Sequence, residues 1–122
     1  LFEMATLNAI HAKMHKAVAQ AGGRIEAVFY CPHAADMDCA CRKPKPGLFD
    51  EIAARYGRDL HDVPAVGDSL RDLQAAASVG ARPLLVRTGK GERTLAAGGL
   101  PANTPVFADL GEAVDYLLKA AA

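Results

Sequence analysis

Apolar residues recur at helical spacing near the start of the chain. Leu7, Ile10, Met14 and Val18 lie on one stripe of an Ala-rich stretch that Gly22-Gly23 ends, which predicts an amphipathic helix over about Thr6 to Gln20. The rhythm then changes. Ile25 to Tyr30 (IEAVFY) is short and rich in β-forming side chains, and predicts a strand. Pro46 stands where a helix can begin, and Leu48, Ile52 and Tyr56 make the next apolar stripe, closed by Gly57. Val63 to Val66 predicts a second strand that runs into Gly67-Asp68. Leu73, Ala76 and Ala77 mark a third helix, ended by Gly80. Pro83 to Val86 and Val106-Phe107 predict two more strands, and a last helix covers about Gly111 to Leu118.

Strands alternating with helices at short spacing predict an α/β fold, with parallel strands joined by right-handed crossovers in an open sheet. Ligands of such sheets sit beyond the carboxyl ends of the strands. Residues 31–45, 67–72 and 87–90 follow the predicted strands, so cysteines, basic residues and an aspartate pair would gather on one rim. That convergence reads as a site.

Composition narrows the function. A chain of 122 residues suffices for one domain with a core and is too short for two. Lys plus Arg equals Asp plus Glu, at 14 each, so the chain as a whole has no basic footprint for nucleic acid or an anionic membrane. No apolar run reaches the length of a membrane span, and the first residues lack a signal-peptide pattern. Three cysteines leave one over from any internal disulfide scheme; clustered beside a histidine, they read as metal ligands in a reducing compartment, the cytoplasm.

Those ligands are Cys31, His33, Cys39 and Cys41, spaced C-x-H-x5-C-x-C. Three thiolates and one imidazole close a tetrahedral zinc shell with no position left for water, so this zinc would organise the loop 31–47 and take no part in catalysis. Arg42 and Lys43 follow directly, before Pro44 and Pro46. They offer a planar fork and a compact charge to phosphate oxygens, or form a solvated basic turn. Asp68 comes at a strand tip, with Gly67 before it for a sharp turn and Asp72 on the next helical turn. It suits magnesium, unless Asp68 or Ser69 only caps the helix. Arg87-Thr88-Gly89-Lys90-Gly91 lacks the Walker pattern, precedes no clear helix and reads as a plain turn. His11 and His15 lack the glutamate of a metalloprotease helix and read as surface or interface residues; His61 has no companion ligand.

Cys31-x-His33 to Cys39-x-Cys41-Arg42-Lys43-Pro44, then Val66-Gly67-Asp68 with Asp72, resembles the zinc-containing phosphatases of the haloacid dehalogenase superfamily over essentially the entire chain. Its sugar-bisphosphate branch is the best match, and histidinol-phosphate phosphatases are near relatives. The resemblance implies a three-layer Rossmannoid sheet and a two-step phosphoryl transfer through an aspartate. On matching positions, Lys43 would stabilise the transferring phosphoryl group, Arg42 would contact substrate, and Asp68 would bind the catalytic magnesium. Ser69, also on the substrate side, falls where some relatives carry a lysine. The superfamily's Asp-x-Asp-Gly-Thr motif is absent. The chain is therefore expected to be one partial phosphatase domain without its first strands, with an unpaired sheet edge, inactive by itself. The implied partner is a small-molecule sugar phosphate, met by a monomer. A zinc-stabilised interaction module without catalysis is the competing expectation.

Overall fold

The computed structural model describes residues 4–30 and 43–121, which form two compact units. Cys31, His33, Cys39, Cys41 and Arg42 lie outside the described residues.

The first unit, 4–30, is built on α1 (Met4–Gln20). The helix ends where Gly23 N–H donates to the Val18 carbonyl (2.9 Å) and Gly22 takes φ 88°, a conformation that glycine adopts without steric cost. Ile25–Tyr30 is not a strand. β-Propensity records how side chains fit a pleated, half-buried surface, and a strand exists only where a neighbour completes its ladder. The segment is held by side chains instead: the Tyr30 hydroxyl donates to Met4 Sδ (3.3 Å), and its ring lies 6.2 Å from that of His11.

The second unit, 43–121, carries the sheet. In chain order it contains α2 (Gly47–Tyr56), β1 (Pro64–Gly67), α3 (Leu70–Ser78), β2 (Arg82–Val86), α4 (Gly91–Ala97), β3 (Val106–Phe107) and α5 (Leu110–Ala121). The strands are parallel in the order β1-β2-β3, with Val66 beside Leu84 and Leu85 beside Val106. Central β2 is buried on both faces, as its unbroken apolar run requires. Leu84 and Val86 pack with Phe107 and with Ala113 and Leu117 of α5. Leu85 points to the opposite face by strand alternation, and α3 packs on β1 and β2 with Leu73, Ala75 and Ala76 buried.

Two features bear on the site. Among the described residues β1 has a neighbour on one side only, and Val66 is 39% exposed beside an apolar cleft of about 250 Å³ that Phe49, Ile52 and Leu60 help to line. The second is α4, which begins directly after the segment read as a plain turn. Its seven residues carry no apolar stripe, so periodicity could not reveal it; close packing of Gly91 against β2 sets its start. Among the described residues, no helix is long and apolar enough to cross a membrane.

Candidate active site

β1 ends at Gly67, where a Cβ would lie 2.5 Å from Cβ of Asp72. Glycine is needed here for that approach and not for a left-handed turn, since Gly67 is absent from the positive-φ glycines of the described residues. Asp72 is thereby drawn against the strand end. Ser69 is the N-cap of α3: its Oγ accepts from Asp72 N–H, and the Asp72 carboxylate accepts from Ser69 N–H, both at 3.3 Å. This reciprocal capping box decides between the two candidate caps. Ser69 caps the helix, and Asp68 is left for the rim.

Asp72 has a second partner. Its Oδ1 accepts from the Lys43 ammonium, pairing the residue before Pro44 with the first turn of α3. Burial, the largest influence on Asp72, pushes its pKa up; the hydrogen bond and charge of Lys43, with the Ser69 donors, outweigh it and hold the carboxyl below the usual 3.8. Asp72 is therefore an anion at neutral pH, and Lys43 is held facing it.

Asp68 is fixed by a different element. Its Oδ2 accepts from Lys90 N–H (2.9 Å), and its backbone carbonyl accepts from the Thr94 hydroxyl of α4 (2.7 Å). Gly89 has φ 58°, and a Cβ there would stand 2.3 Å from Asp68 Oδ2.

Lys43, Ser69 and Asp72 thus meet beyond the end of β1, and the loop after β2 closes on Asp68, the residue before Ser69. Gly89 and Lys90, which read as part of a plain turn, and Thr94 are the rim residues that local sequence does not reveal. Their readable signal was two glycines flanking a lysine at a strand end; their target, 21 to 26 residues earlier, was not readable. Among the described residues no three His, Cys, Asp or Glu side chains cluster as a metal shell, so Asp68 offers a cation one carboxylate. The rim combines a hard oxygen donor, an ammonium and a structural carboxylate, which is chemistry suited to a phosphate ester and a divalent cation.

A family model described as HAD-hydrolase-like matches residues 40–113. The chain belongs to this HAD-like family. Within it, the chain is 60% identical over 121 residues to the D-glycero-beta-D-manno-heptose-1,7-bisphosphate 7-phosphatase of Bordetella bronchiseptica, covering 99% of this chain and 68% of that protein. The HAD-like fold superposes with TM-score 0.94 on the crystal structure of D,D-heptose 1,7-bisphosphate phosphatase from B. bronchiseptica complexed with magnesium and phosphate, at 60% identity over 98% of this chain and 66% of the other. The corresponding enzyme from Burkholderia thailandensis gives 0.75 at 53% identity, with 96% and 66% covered. The chain spans about two thirds of the length of these HAD-like relatives.

Proposed function

We propose that the protein is a magnesium-dependent phosphoric monoester hydrolase of a sugar bisphosphate, removing the 7-phosphate from D-glycero-D-manno-heptose 1,7-bisphosphate in the β form named for its relative. The observation that carries this reading is the Lys43–Asp72 pair at the carboxyl end of β1, where Asp68 follows Gly67 and is held by the loop after β2.

Each residue has a part in such a reaction. The Lys43 ammonium, aimed by Asp72, is placed to neutralise charge on the phosphoryl oxygens as it builds in the transition state. Arg42, the preceding residue in the chain, would add a planar fork for the substrate. The Ser69 hydroxyl already accepts from Asp72 N–H, so a substrate contact would use its remaining donor. Asp68 would hold magnesium as a single hard carboxylate. Bound magnesium would supply charge neutralisation between carboxylate and phosphate. Residues 1–122 contain no Asp-x-Asp-Gly-Thr motif, so by themselves they are expected to turn over no substrate.

A structural zinc held by Cys31, His33, Cys39 and Cys41 belongs to the same proposal. Three thiolates and an imidazole in one short loop form a closed tetrahedral donor set. Such clustered thiols keep their ligand function in a reducing compartment, and we place the enzyme in the cytoplasm as a monomer acting on a free sugar phosphate. The balanced charge supports no nucleic-acid partner.

The test is phosphate release by the full-length protein from heptose bisphosphate, with histidinol phosphate as the competing substrate. Lys43→Ala is expected to lower turnover by ~10²-fold, more than it weakens substrate binding. Asp68→Asn preserves shape but removes the charge, and is expected to abolish magnesium-dependent turnover. An active Asp68→Asn enzyme, or a preference for histidinol phosphate, overturns the proposal.

A further inference from the structure

Asp68 is held from the segment that follows the neighbouring strand β2. Once β1 ends at Gly67, the Asp68 carbonyl has left the sheet ladder and needs a donor of its own. Thr94 supplies it, 26 residues later in sequence, from the first turn of α4 (2.7 Å). The same hydroxyl lies 3.1 Å from the Lys90 carbonyl, so it is anchored in its own helix at the same time. Lys90 N–H takes one carboxylate oxygen, Oδ2 (2.9 Å). Among the described residues no donor reaches Oδ1. Backbone and side chain of Asp68 are thus held at two separate points by one segment.

The shape of that segment leaves it little freedom. A Cβ at Gly89 would stand 2.3 Å from Asp68 Oδ2, and Gly89 adopts φ 58°. A Cβ at Gly91 would stand 1.8 Å from the Val86 carbonyl, so α4 starts hard against the end of β2. Gly91 N–H closes the turn on the Thr88 carbonyl (2.9 Å). Thr94 therefore rides on an element fixed to the central strand.

We infer that Thr94, with Gly89 and the Lys90 amide, is a positioning clamp for Asp68, presetting the carboxylate so that Oδ1 meets the cation. The inference rests on the proposed reading of Asp68 as a magnesium ligand. Its physical basis is ligand count. Magnesium dehydrates reluctantly and demands near-ideal octahedral geometry, so a site with few protein carboxylates depends on each being oriented in advance. Partners that orient a metal ligand are typically worth about 10- to 100-fold in metal affinity or activity.

The experiment uses the full-length protein and magnesium alone as the probe. Thr94→Val keeps the shape and removes the hydroxyl. Its magnesium dissociation constant, from calorimetry without substrate, is expected to rise about 10-fold. The magnesium concentration for half-maximal activity should rise in parallel, and turnover at saturating magnesium should return to near the parent level. Thr94→Ser should restore parent affinity. Gly89→Ala, which crowds Asp68 Oδ2 from the loop, should weaken magnesium as Thr94→Val does. Asp68→Asn separates the two ways of failing. If it loses magnesium while Thr94→Val and Gly89→Ala bind like the parent, the clamp is wrong and the Asp68 reading stands. If Asp68→Asn binds magnesium like the parent, the Asp68 reading fails and the clamp with it.

Discussion

Asp72 does two things that local sequence reading treats separately. It completes the capping box with Ser69, and it holds Lys43 at the rim. The first was legible, because Ser-x-x-Asp before an apolar stripe is a helix-start signature. The second was not, because Lys43 lies 29 residues away and nothing between them in sequence marks the meeting. The pair makes a prediction about acid. The folded Asp72 pKa lies below its usual 3.8, so its contribution to stability is fully present above about pH 4 and is lost as pH falls through the folded value. Asp72→Asn should therefore be less stable than the parent at pH 7, by about 1 kcal/mol, since the cap is weakened and the pair is half exposed to screening. Denaturant unfolding at pH 7 and then stepwise below pH 4 checks this. The gap between the two proteins should close with acid, and a gap that stays constant would remove Lys43 and Ser69 as the cause.

The elements divide by what makes them visible. α2 is bounded by Pro46 at its N-cap and by Gly57 at its C-cap in the left-handed conformation, and both signals stand in the sequence. β2 reads as a continuous apolar run because helices cover it on both faces. Ile25–Tyr30 pairs with no strand among the described residues, and the start of α4 is set by packing that local sequence does not show. Gly91 gives that packing a test. Its missing Cβ would meet a backbone carbonyl of β2, and backbone yields less easily than a flexible side chain. Gly91→Ala is expected to destabilise the fold by about 1–3 kcal/mol, the usual cost of overpacking. The readout is the denaturant midpoint. A parent-like midpoint would show that α4 can shift away from β2, and would loosen the hold of Thr94 on Asp68.

For the molecule as a whole, the folding energy of the loop 31–47 is expected to come from metal more than from core. Ala34 to Asp38 bring little apolar surface, while the four proposed ligands cluster within 31–41. Metal analysis of protein prepared without chelator should find one zinc per chain, and Cys39→Ala should lose it together with part of the thermal stability. A clearly smaller zinc content would count against the site. The sequence by itself determined the kind of molecule this is. The 3.6- and 2-residue periods, the glycine and proline stops and the cysteine spacing are local, and local patterns state which faces seek burial and which side chains suit a metal. They placed most helices and strands, the parallel order of the sheet and the rim where chemistry gathers. Only the tertiary structure decided how that rim is assembled. Lys43 meets Asp72, Lys90 and Thr94 meet Asp68, and the space for both meetings exists because Gly67 and Gly89 carry no Cβ. Contacts across 22 to 29 residues form when helices pack on a sheet, so no window of sequence short enough to show a period can contain them.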